Sequence, residues 1–144
     1  MRHLIPGGFG LVVFLALTAC GGGGSPSSPS TPGTPNTSSH NAGRDCLECH
    51  GFSLAGTVYR GDGATPYSGA TVRLTREPAG AGEVLVSLVT DRSGNFYTTE
   101  SVDWGRGPYA DVTGSAGTLR PMETPLSGGA CNSCHGTGER IRAE

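Results

Sequence analysis

Between residues 54 and 113 the chain alternates apolar and polar positions with a period of two, the mark of strands with one buried face. Leu54 to Arg60 alternates with Val58 inward, and Gly61-Asp62-Gly63 then turns the chain. Ala70 to Thr75 sets Val72 and Leu74 on one face, and Glu83 to Thr90 alternates Val84, Val86 and Leu88 against Leu85, Ser87 and Val89. Asp91-Arg92-Ser93-Gly94-Asn95 is a turn cluster leading into a strand from Phe96 to Thr99, and Tyr109 to Thr113 offers the last strand. Short, closely spaced strands joined by Gly, Pro and Asp, with no helical period, predict an all-β domain built as a small antiparallel β-sandwich. The Asp91 turn lacks the length and the glutamate of an EF-hand loop, so it reads as hairpin chemistry and not as a calcium site.

Ahead of this region the pattern changes twice. Arg2 and His3 precede an apolar run from Gly8 to Ala19, which Leu17-Thr18-Ala19-Cys20 closes. The run is shorter than the roughly 18 to 20 residues a membrane-spanning helix needs, and a small residue precedes Cys20, so residues 1–19 read as an export signal. Leu17 to Cys20 resembles the lipobox of bacterial lipoproteins. That resemblance implies a diacylglycerol on Cys20, anchoring the mature chain to a membrane on its periplasmic or cell-surface side. Residues 20–41 hold Gly, Ser, Pro, Thr and Asn, which bury too little to repay ordering and predict a disordered tether. Residues 42–144 remain as one folded domain, with its sandwich core at about 54–114.

The chemistry sits at both ends of that domain. Cys46-Leu47-Glu48-Cys49-His50 and Cys131-Asn132-Ser133-Cys134-His135 both read Cys-x-x-Cys-His. Residues at i, i+3 and i+4 of a helical turn share a face, so two thiols can add to the vinyl groups along one haem edge while the histidine turns under the iron. The spacing predicts two covalently attached c-type haems, on Cys46/Cys49 and Cys131/Cys134, with His50 and His135 as axial ligands. Helix is expected only in these turns. Zinc calls for cysteine pairs roughly 15 to 20 residues apart, whereas 81 residues separate Cys49 from Cys131. Two disulfides suit an exported protein, but a thioredoxin-like pair belongs in a βαβ setting that this chain lacks. Five cysteines less the four in the motifs leave Cys20 for the lipid.

The search for sixth iron ligands is short, because the chain has no lysine and His3 and Met1 leave with the signal. His40 lies six residues before Cys46, a span of up to about 20 Å when extended. Met122 lies nine residues before Cys131, between Pro121 and Glu123. The alternatives are a solvated linker histidine, a gap-filling methionine, a tyrosine ligand or an open position. Thioether with imidazole raises a haem potential and two imidazoles keep it low, so His40 on the first haem and Met122 on the second predict two unequal irons. Arg140 and Arg142 suit a haem propionate, although residues 136–144 read as a solvated tail.

Gly56-Thr57-Val58-Tyr59, then Pro66 through Gly69-Ala70-Thr71-Val72, then Thr90-Asp91-Arg92-Ser93-Gly94-Asn95-Phe96 resemble the carboxypeptidase regulatory-like, transthyretin-like β-sandwich, over roughly residues 54–114. The resemblance implies a seven-stranded scaffold without catalysis of its own. Haem motif, sandwich and haem motif in series resemble small exported dihaem or multihaem cytochromes of bacteria. That implies an electron carrier and no enzyme, with redox proteins or haems of neighbouring subunits as partners. One alternative is a subunit of a larger multihaem conduit or filament, for which haems at the two ends of a domain suit a relay. Another is a dihaem peroxidase, which needs an open iron and distal acid and base groups from a chain with no histidine to spare. The balance of ten arginines against twelve acids is mildly acidic, so nucleic acid is not expected as a partner.

Overall fold

The computed structural model describes residues 40–144; residues 1–39, on which the expected export signal, Cys20 and most of the expected tether fall, lie outside the described residues. Seven strands form two sheets. β1 (Leu54–Tyr59), β4 (Asn95–Thr98) and β7 (Ile141–Arg142) make one, in the order β4-β1-β7. β2 (Thr71–Thr75), β3 (Val84–Val89), β5 (Tyr109–Thr113) and β6 (Leu119–Pro121) make the other, in the order β3-β2-β5-β6. Among the described residues the only helices are a 3-10 turn at Cys46–Glu48 and α1 at Cys131–His135.

The period-two pattern places β1 to β5 to within a residue at either end, because their alternating apolar positions close one shared core. Leu54, Val58 and Phe96 from one sheet meet Val72, Leu74, Leu88 and Val112 from the other. Val72 lies opposite both Leu88 and Val112, which centres β2 in its sheet. Asp91 Oδ1 accepts from the amides of Ser93 (2.8 Å) and Asn95 (3.0 Å), so the turn between β3 and β4 is an Asx turn.

Three features depart from the expected sandwich. β1 is buried along its whole length, not on one face alone. The segments carrying the cysteine motifs cover its other side, where Gly43 N–H donates to Thr57 Oγ1 at 2.9 Å and Arg140 lies 4.5 Å over the Tyr59 ring. Tyr109–Thr113 is not the last strand: β6 and β7 follow, and β7 runs parallel to β1 with Val58 opposite Ile141. Nor are residues 136–144 a solvated tail. Ala143 is fully buried and donates its amide to Tyr59 O at 3.1 Å, while Tyr67 Oη donates to Glu144 Oε1 at 2.6 Å. The core therefore extends past residue 114. No helix among the described residues is long and apolar enough to cross a membrane.

Candidate functional site

Each cysteine motif folds as a single helical turn. In the first, Asp45 caps the turn by accepting Leu47 N–H on Oδ1 at 3.0 Å, and His50 N–H closes it on Cys46 O at 3.0 Å. In the second, Ser133 Oγ donates to Ala130 O at 2.6 Å. Gly129 brings that turn onto β1, accepting Ala55 N–H at 2.9 Å; a Cβ there would overlap the Ser53 carbonyl.

The fold brings the two motifs together. Their placement in sequence suggests one at each end of the domain, yet both pack on β1 and they touch through Asn132. Its side chain accepts Thr57 N–H at 2.9 Å and donates to Arg44 O at 2.8 Å, two residues before Cys46. Nothing in the sequence marked Asn132, which resembles any solvated polar residue of a short helix. Its partner Thr57, and Asn95 bonded in turn to Thr57, were equally silent.

The four sulfurs differ in setting. Cys46 and Cys131 are partly buried thiols, and Cys134 is an exposed one. Burial pushes the Cys131 thiol up to about 12, with the charges of Cys134, Cys46 and Asp45 adding to the shift, so the first motif is felt at the second. Burial, then the carboxylates of Asp45 and Asp91, raise Cys46 as well. These shifts penalise a thiolate and leave a thioether, which carries no proton, unaffected. Cys49 is disulfide-bonded.

The histidines suit axial ligation. The His135 Nδ1–H donates to Glu139 O at 2.5 Å. A carbonyl only accepts, so this bond fixes the tautomer and leaves the Nε2 lone pair for a metal. His40 and His50 adjoin, with ring centroids 5.6 Å apart and planes at 59°. A metal bonded to one nitrogen of each ring at about 2 Å would hold the centroids about 6 Å apart, so the pair stands near that spacing. His50 also stacks on Phe52 (5.0 Å), and Phe52 on Tyr97 (4.6 Å).

Met122 directly follows β6. Its amide donates to Ala110 O at 2.8 Å, continuing β6 on the four-stranded sheet, while both motifs pack on the three-stranded one. Arg140 is fixed by its bond to Gly63 O at 2.7 Å. Among the described residues no group of three or more His, Cys, Asp or Glu could hold a bare metal ion, as a zinc centre would require. The donor set is that of covalently attached haem, with two helical Cys-x-x-Cys-His turns, an oriented His135 and a second imidazole beside His50, and attachment would replace the disulfide at Cys49.

No protein-family model, curated protein or solved structure matches the chain. Its function is therefore read from the site's own chemistry.

Proposed function

We propose that the protein is an electron carrier: a dihaem c-type cytochrome, lipid-anchored through Cys20, working in the periplasm or at the cell surface. The observation that carries this reading is the pair of Cys-x-x-Cys-His turns docked side by side on β1 and joined by the bond from Asn132 to Arg44 O. Cys46, Cys49 and His50 would hold one haem and Cys131, Cys134 and His135 the other. When bound, each haem supplies an iron that takes up and gives back one electron.

The protein's own groups then set the conditions. His40 and His50 would together hold the first haem, and two imidazoles would keep its potential low. Glu139 O holds the His135 Nδ1–H and makes that imidazole the better donor. Met122, whose backbone amide joins the other sheet, would be the second ligand of the second haem. The transthyretin-like resemblance supports a rigid scaffold role for the two sheets, on which a site is held more closely than on loops. Side-by-side motifs favour a haem pair within one chain, and remove the end-placement argument for a conduit subunit. Redox proteins are the expected partners.

Absorption spectra of the mature protein, oxidised and reduced, together with its mass, test the proposal. Two haems linked by thioethers, with low-spin iron, are expected. A colourless chain made beside a working haem-attachment system, with sulfurs free or in disulfides, refutes it. A disulfide and a thioether at Cys49 exclude each other, so the mass decides between them. High-spin ferric iron with peroxide turnover would indicate the peroxidase instead.

A further inference from the structure

Asn132 stands where a strand would otherwise stand. Along one edge of β1 the backbone groups are taken in turn by Gly129, Asn132 and the chain around β7. Ala55 N–H donates to Gly129 O at 2.9 Å, Thr57 N–H to Asn132 Oδ1 at 2.9 Å, and Tyr59 O accepts Ala143 N–H at 3.1 Å. A helix directs its carbonyls along its own axis, so α1 has no backbone acceptor to offer a neighbouring strand. The side-chain amide fills the missing rung.

The same amide reaches further. Asn132 Nδ2 donates to Arg44 O at 2.8 Å and to Thr57 Oγ1 at 2.9 Å. The Thr57 hydroxyl also accepts Gly43 N–H at 2.9 Å and donates to Asn95 Oδ1 at 2.5 Å. Asn95 Nδ2 in turn donates to His40 O at 3.2 Å. Thr57, Asn95 and Asn132 are 0%, 2% and 4% exposed, and a fully satisfied buried network of this kind rigidifies what it joins.

We infer that Asn132 is a positioning residue: through its bonds to Thr57 and Arg44 it sets the placement of one haem relative to the other and, by way of Asn95, steadies the segment that brings His40 to the first iron. The inference rests on the haem reading above. It assigns the geometry of the haem pair to a variable position inside the second motif. A chain with the motif spacing intact but no amide at 132 keeps both haems and loses their fixed relation.

The test uses the full chain, loaded with haem, as wild type, Asn132→Ala, Thr57→Val and Thr57→Ser. The wild type should bind two haems and show the paired positive and negative Soret lobes of coupled haems in circular dichroism. Asn132→Ala should keep two haems and lose the paired lobes, with part of the first haem turning high-spin as His40 loosens. Thr57→Val, which keeps the amide but removes the hydroxyl, should weaken the lobes, and Thr57→Ser should restore them. In the haem-free protein, hydrogen exchange at the Thr57 amide should be at least about tenfold faster in Asn132→Ala, the effect of one lost hydrogen bond. A colourless wild type would remove the haem reading and this inference with it. A two-haem wild type without paired lobes would overturn the inference alone. So would unchanged lobes in Asn132→Ala or, if that variant does not fold, in Thr57→Val.

Discussion

The imidazole rings of His40 and His50 stand 5.6 Å apart between centroids, at 59° to one another. The chain leading to His40 is tied down at two points, since Asn95 Nδ2 donates to His40 O at 3.2 Å and Gly43 N–H to Thr57 Oγ1 at 2.9 Å. His40 is thus presented to His50 by the fold, and is not merely near it in sequence. Replacing His40 with Ala should leave two haems attached and convert one of them from low-spin to high-spin ferric iron. Electron paramagnetic resonance checks this, and two unchanged low-spin signals would remove His40 from the ligand set.

On the proposed reading, His135 would tune the second haem. His135 Nδ1–H donates to the Glu139 carbonyl at 2.5 Å across the turn Gly136-Thr137-Gly138. Hydrogen bonding at the far nitrogen raises the basicity of a ligating imidazole, which favours ferric iron. Inserting one glycine after Gly138 should move the carbonyl away and raise the potential of the second haem, leaving the first unchanged. Glu139→Ala keeps the carbonyl and should leave both potentials in place. A redox titration resolves the pair, and equal shifts at the two haems would contradict the assignment.

The strands of the core were legible because Val72, Leu74, Leu88 and Phe96 alternate with polar neighbours and no competing period interferes. β6 and β7 were not. Leu119–Pro121 is three residues with a proline at its end, and Ile141–Arg142 is two, too short for any period to show. The parallel pairing of β7 with β1 depends on the chain returning from α1, which local pattern cannot carry. At the site, the two helical turns at the Cys-x-x-Cys-His motifs were readable from spacing alone. The meeting of the two motifs was not, because it turns on the burial of Asn132, and polarity at that position argues the other way.

Gly129 is where the second motif docks. A Cβ there would overlap Ser53 O and come within 2.7 Å of Leu54 Cα, whereas one at Gly128 meets nothing within 4 Å. Gly129→Ala should cost about 1 to 3 kcal/mol, as overpacking against backbone does. Gly128→Ala should stay within about 0.5 kcal/mol of wild type, as surface changes do. Urea unfolding of the two variants measures both, and equal midpoints would mean that α1 does not rest on Ser53 as described.

The Cys131 thiol gives the haem-free domain a pH dependence that haem should abolish. Burial raises it from an ordinary value of 9.0 to about 12, and the nearby charges of Cys134, Cys46 and Asp45 act in the same direction. The folded state keeps a proton that the unfolded chain releases near pH 9. This contribution to stability is therefore complete below about pH 9 and is lost progressively as the pH climbs towards 12. Cys46, also raised by burial, adds to the loss with the same sign. A thioether carries no proton, so the haem-loaded chain lacks both terms. Urea midpoints of the haem-free protein should fall between pH 8 and 10.5 more steeply than those of haem-free Cys131→Ala, whose other titrating groups are the same. Parallel curves would mean that the sulfur of Cys131 is not held against β1.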